Sequence, residues 1–305
     1  ANLPATLGAD APYENMGTIQ TKGWELAIDY RHTFKNGLHF GVTASVADDK
    51  TEVTKWTYNT KIPSYGATGW WDKSAYKEGM VLGDIWGLQF DRFLTEDDFN
   101  ADGSLKAGLP DQTKVFPAGY QFAPGDVLYK DLDNNGEIVK QTNTNDKGDL
   151  SVIGNALPRL QFGLNLDAAW KGFDISMFFQ GVAKRKLWAA GNQVLPGFTT
   201  GEPFYKGAED YWTPENTDAF YPRPMDYKQS ASGNYSVNDR YLLNMAYLRL
   251  KTFTVGYSLP KVWLSKFKVQ GLRVYFTGEN LFTIDGVKPA IDPEIGIRTA
   301  SGKSD

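Results

Sequence analysis

The chain has 305 residues, 32 basic against 36 acidic for a net charge of -4, with 41% hydrophobic and 14% aromatic residues. No basic tract stands out, which argues against a nucleic-acid partner; the lack of cysteine removes disulfides and thiolate chemistry, and two histidines leave little for a histidine-rich metal centre. No run approaches the roughly 18 apolar residues of a transmembrane helix, a limit that does not touch transmembrane strands.

The chain opens directly into Ala1-Asn2-Leu3-Pro4, which reads as a mature segment or a fragment with no signal peptide. A two-residue period then takes over. Trp24, Leu26, Ile28 and Tyr30 alternate with Glu25, Ala27, Asp29 and Arg31, and Leu38, Phe40, Val42, Ala44 and Val46 follow in the same parity. Keeping those apolar sets on one face requires Phe34 opposite Leu38 around a three-residue loop, Lys35-Asn36-Gly37, with Gly37 at positive φ. Residues 51–79 lose the period and read as a long loop rich in Trp, Tyr, Pro and Gly. Gly83–Leu94 reads as a strand whose partner lies somewhere in 95–152.

Phe162, Leu164, Leu166, Ala168 and Trp170 alternate with Gln161, Gly163, Asn165 and Asp167, and Phe173, Ile175, Met177 and Phe179 continue in the opposite parity. That switch predicts Trp170 opposite Phe173 around a two-residue turn, Lys171-Gly172. A second long loop covers 182–240. Beyond it Leu248 and Leu250 are out of phase with Phe253, Val255 and Tyr257, so a bulge is expected between them or the face is misassigned. Leu272, Val274 and Phe276 form a last alternating run. Tight turns at one end and long loops at the other suit a transmembrane β-barrel, while the alternation alone also suits a soluble β-sandwich.

The motifs narrow this. Gly125-Asp126-Val127-Leu128-Tyr129-Lys130-Asp131-Leu132-Asp133-Asn134-Asn135-Gly136-Glu137-Ile138 is followed by Val152-Ile153-Gly154-Asn155-Ala156-Leu157-Pro158. Tyr247-Leu248-Arg249-Leu250-Lys251, Val255-Gly256-Tyr257-Ser258-Leu259-Pro260, Arg273–Thr283 and Asp292-Pro293-Glu294 come next. In that order the series resembles the C-terminal part of the SusC/RagA family, TonB-linked outer-membrane transporters of Bacteroidetes. The resemblance implies an all-β fold: part of an antiparallel transmembrane β-barrel, multi-pass in the cell outer membrane, with short periplasmic turns and long extracellular loops. Residues 1–294 would be the C-terminal part of the barrel, and 295–305 a terminal segment in which no final strand is recognisable. It also implies TonB-dependent import of an oligosaccharide or peptide beside a SusD-like surface lipoprotein, with TonB engaged through an N-terminal part that this sequence lacks. The alternative is a secreted all-β carbohydrate-binding module.

Asp131, Asp133 and Asn135, with Gly136 and the Glu137 carbonyl, match the first half of a calcium loop. The twelfth position is Thr142 where the full motif has Glu; Asp146 or Asp149 is a candidate to complete the shell, and an ion-free Asx turn remains the other reading. Trp56, Trp70, Trp71, Trp188 and Trp212, with Asp210, Glu215 and Arg223, lie in or at the edges of the long loops. They are candidate contacts for a flat-faced ligand or a partner protein, unless the rings only pack the loops. Phe162, Leu164, Leu166, Trp170, Phe173, Ile175, Met177 and Phe179 are candidates to face lipid. His32 and His39 fall on opposite faces and do not make a pair. No serine elbow or phosphate-binding glycine loop occurs, and no enzyme is expected; Glu96, Asp97 and Asp98 read as a solvated charge run.

Overall fold

The computed structural model describes residues 17–57, 78–140, 148–198, 204–225, 233–288 and 291–295. Alternating apolar and polar side chains set the longest elements: β1 (Gly17–Thr33), β2 (His39–Trp56), β7 (Arg159–Trp170), β8 (Phe173–Lys184), β11 (Tyr247–Ser258) and β12 (Arg273–Asp285). Between them come the shorter β3 (Asp84–Gly87), β4 (Phe90–Phe93), β5 (Val127–Tyr129), β6 (Ser151–Asn155), β9 (Lys186–Leu187), β10 (Leu243–Asn244) and one helical turn, α1 (Lys261–Ser265). The six long strands form one antiparallel sheet in the order β1-β2-β7-β8-β11-β12.

Register follows the parity of the apolar residues. Phe34 N–H donates to the Leu38 carbonyl at 2.8 Å, Gly37 N–H to that of Phe34 at 2.9 Å, and Gly37 has φ +82°. Trp170 stands opposite Phe173, and both turn residues are left-handed, Lys171 at φ +48° and Gly172 at φ +92°, the signature of a type I′ hairpin. The expected bulge is present: the ladders from β11 to β8 and to β12 both shift between Leu250 and Thr252. β2 runs further than its sequence suggested. Residues 51–56 remain paired with β1, and Val53 is buried, so the loop begins after Trp56 rather than at residue 51.

The stretch 83–94 is two strands, not one. β3 pairs with β6 and β4 with β5, so its partner is split between two segments. Glu96–Asp98 is a 3₁₀ turn in which Glu96 and Asp97 are exposed, as expected of a solvated run, while Asp98 is buried against Arg92. Most buried apolar side chains lie in the long excursions after β2 and β8 rather than on the sheet. One cluster gathers Ile85, Trp188, Leu195, Tyr235, Tyr241 and Met245; another gathers Leu88, Phe93, Val127, Tyr129, Ile138 and Trp212.

The all-β class holds, but the barrel does not. Among the described residues no sheet closes: β1 pairs only with β2, β12 pairs only with β11, and two edges stay open. Six strands are fewer than the smallest membrane barrels use, about eight. The expected multi-pass barrel in the cell outer membrane is therefore corrected to an open sheet. Among the described residues no helix is long and apolar enough to cross a membrane, which says nothing of strands.

Candidate functional site

The acidic loop hangs between β5 and β6. Asp131 accepts the N–H groups of Asn135 (3.3 Å) and Gly136 (2.8 Å), and Asp133 accepts that of Asn135 at 3.1 Å. Asn134 (φ +58°) and Gly136 (φ +85°) supply the left-handed residues that reverse the chain. The fold then brings Asp149 in from the other side. Fully buried, it accepts Leu132 N–H and Val139 N–H, each at 2.8 Å, pinning both ends of the loop.

Carboxylate oxygens of Asp131, Asp133 and Asp149 lie within 4.8 Å of one another. Oxygens that span one divalent cation at 2.3–2.6 Å stand about this far apart, so this acidic group can chelate such an ion. The crowding shifts the acidity of the carboxyls. Burial raises the Asp133 carboxyl above its ordinary value, and the charges of Asp149 and Asp131 add to the rise. At Asp131 burial acts in the same sense, but N–H donation from Gly136, Asn134 and Asn135 outweighs it and the net shift is downward.

The remaining side chains of the loop have partners of their own. Asn135 turns its oxygen to Glu137 N–H (2.7 Å) and donates its amide to Asp133 (3.0 Å), while the Glu137 carboxylate pairs with Lys114. The carboxylates that converge are thus those of Asp131, Asp133 and Asp149, around the turn that contains Asn135 and the Glu137 main chain.

The aromatic candidates scatter. Trp188 and Trp212 are buried in the two separate clusters, so their rings pack the excursions. Trp56 ends β2, half-buried opposite Gly17, and Trp70 and Trp71 lie outside the described residues. Arg223 is an internal clamp on the buried Asp126, while Asp210 and Glu215 are exposed. The exposed rings in this region are Phe204, Tyr205 and Tyr211, which the sequence reading passed over in favour of tryptophan. Their signal was available: Phe204-Tyr205-Lys206 and Asp210-Tyr211 each set a ring beside a charge in a segment with no strand period.

The eight candidate lipid-facing residues share one face of the central hairpin, through Leu164–Phe179, Leu166–Met177 and Trp170–Phe173. Val42 opposite Leu166 extends that face to β2; Phe253 opposite Met177 and Val255 opposite Ile175 extend it to β11. Leu26, Ile28, Tyr30, Phe173, Val274 and Phe276 on it are each more than half exposed. The opposite face carries the Arg273–Asp174 ion pair at 2.6 Å. His39 joins it, with Thr33 Oγ1 at 3.1 Å, whereas His32 stacks edge-on against Phe34. The two histidines do not meet in one site.

No model of a known protein family matches the chain. Across 97% of its length it is 27% identical to TonB-dependent receptor P3 of Formosa agariphila, and across 96% it is 26% identical to TonB-dependent receptor P26 of the same organism. TonB-dependent receptor SusC of Bacteroides thetaiotaomicron is 21% identical over 92% of the chain. The chain spans only 25–27% of the length of these relatives. Among solved structures it superposes on the RagAB peptide transporter with a TM-score of 0.65 at 18% identity, and on the RagAB peptide importer in the open-open state with 0.64 at 17%. Each match covers 97% of this chain and 28–29% of the other. The fold is similar to that of a segment, a little over a quarter in length, of the RagAB peptide transporter.

Proposed function

We propose that this chain is the C-terminal portion of a SusC/RagA-type TonB-dependent receptor that imports an oligosaccharide or peptide nutrient. The observation that carries this reading is a match over nearly the whole chain, in sequence and in fold, to receptors and transporters of that kind. A SusD-like surface lipoprotein is the proposed partner, with TonB acting through sequence outside these residues. The apolar sheet face, including Leu166 and Met177, supports contact with lipid hydrocarbon, because large side chains left exposed in water over so many strands would aggregate. Calcium is the proposed ion at Asp131, Asp133 and Asp149, since an all-oxygen set of hard ligands suits it.

The test is uptake of labelled oligopeptides and labelled oligosaccharides by cells with and without the protein, repeated without TonB. Import should fall in both deletions for one cargo class. Undiminished uptake of both classes without the protein would sink the reading.

A further inference from the structure

Two cavities adjoin beneath residues 204–211, and they differ in chemistry. One, of about 640 Å3, is walled by rings and prolines, among them Phe204, Tyr205, Tyr211, Pro222 and Tyr235. The other, of about 480 Å3, is walled by Lys206, Glu209, Asp210 and Lys288 around Phe220. Lys206, Glu209 and Tyr221 line both, so the two are halves of one depression. Each half is within the size range of small-ligand sites, about 300–1,000 Å3.

The walls are held from behind. Trp212 N–H donates to the Tyr221 carbonyl at 3.0 Å and Tyr221 N–H to that of Asp210 at 2.9 Å, which fixes the rim to two buried aromatic residues. A rim fixed in advance loses little entropy on binding. Among the described residues Lys206, Glu209 and Lys288 form no ion pair, although charges of both signs stand along one wall. A neutral oligosaccharide would stack on the rings and offer those charges hydroxyl hydrogen bonds but no counter-charge. A peptide brings an apolar or aromatic side chain together with an ammonium and a carboxylate.

We propose that this depression binds a short peptide, a side chain entering the ring-lined half while its charged ends meet Glu209 on one hand and Lys206 and Lys288 on the other. The proposal rests on the import reading, whose cargo it narrows.

Calorimetric titration of the full chain in detergent micelles tests it, with the tripeptide Ala-Phe-Ala, the same tripeptide acetylated and amidated, and a neutral glucose trisaccharide. Ala-Phe-Ala should bind, and blocking its ends should weaken binding about tenfold, or 1.4 kcal/mol. Lys206→Gln and Glu209→Gln should each weaken it about three- to fivefold, as expected of exposed charges. Tyr205→Ala should weaken it about tenfold. Equal affinity for the blocked and free tripeptides, tighter binding of the trisaccharide, or no tripeptide binding would overturn the proposal without needing any variant. Loss of the import reading with tripeptide binding intact would leave the site standing; intact import without binding would remove the site alone.

Discussion

Arg223 closes a two-pronged ion pair on Asp126, Nε to Oδ1 at 2.8 Å and Nη2 to Oδ2 at 3.2 Å, across 97 positions of sequence. Asp126 is fully buried and also accepts Tyr120 OH, Ala123 N–H and Asn234 Nδ2, each at 2.9 Å. The pair ties the excursion after β2 to the one after β8. Arg223→Ala leaves a carboxylate in the interior without its counter-charge, which should cost about 3–5 kcal/mol. Arg223→Lys should recover only part, because an ammonium cannot supply the fork. Urea midpoints measure both; a parent-like midpoint for Arg223→Ala would mean that the three neutral donors suffice.

Acid should loosen the same region through Asp98. Its side chain takes two hydrogen bonds from Arg92, at 2.6 and 2.7 Å, and the guanidinium holds its carboxyl down at about 2. An unfolded aspartate titrates near 3.9, roughly two units higher. The depressed folded value means that this stabilisation is fully present above the unfolded value and drains away as pH falls through about 2. Asp98→Asn should therefore cost about 2 kcal/mol at neutral pH and almost nothing near pH 2. Unfolding curves at the two pH values decide it: an equal loss at both would assign the cost to packing.

Charge on the apolar sheet face should be penalised and charge on the other face tolerated. Leu166 stands between Val42 and Met177, while its neighbour Asn165 points to the polar side. In lipid, Leu166→Arg should cost about 2–4 kcal/mol if the position lies deep in hydrocarbon. Folding titrations into phosphatidylcholine vesicles, read by tryptophan fluorescence, should show this loss and little for Asn165→Arg. Equal effects from the two variants would mean that the apolar face does not meet lipid.

Calcium should bind where the aspartates crowd. Dialysis against labelled calcium after chelation should give one site per chain, and Asp131→Asn with Asp133→Asn should abolish it. Metal content equal in parent and double variant would leave the loop as an Asx turn closed by Asn135 and Gly136.

Local geometry was legible in the sequence wherever a short turn imposed it. The parity of Phe34 and Leu38, and of Trp170 and Phe173, fixed loop length and register because any other choice would have mixed the two faces. The bulge in β11 was legible for the same reason. What parity could not give was the number of strands, since alternation marks a face and not an edge, and the barrel expectation failed there. The role of Trp212 was equally hidden: its ring lies against Gly125, 87 positions away in sequence, where an added Cβ would come within 2.5 Å of the indole. Of the acidic site, Asp131 and Asp133 came from the motif, but the choice of Asp149 over other acids depended on the loop folding back to Val139.

The shift in β11 has a second effect beyond keeping Leu250 and Phe253 on one face. Lys251 is the residue passed over by both flanking ladders, so its side chain is released from the alternation that governs its neighbours. Its ammonium meets both oxygens of Glu294, at 3.2 and 3.1 Å, beside Arg249, which grips Asp292 and the same glutamate at 2.8 Å each. A single slipped residue thus acts as a latch: it fastens the Asp292–Glu294 strap to the sheet at a place where the weave is already interrupted. Deleting Lys251 would restore the register with β8 and, in the same stroke, remove one of the two cations that hold the strap.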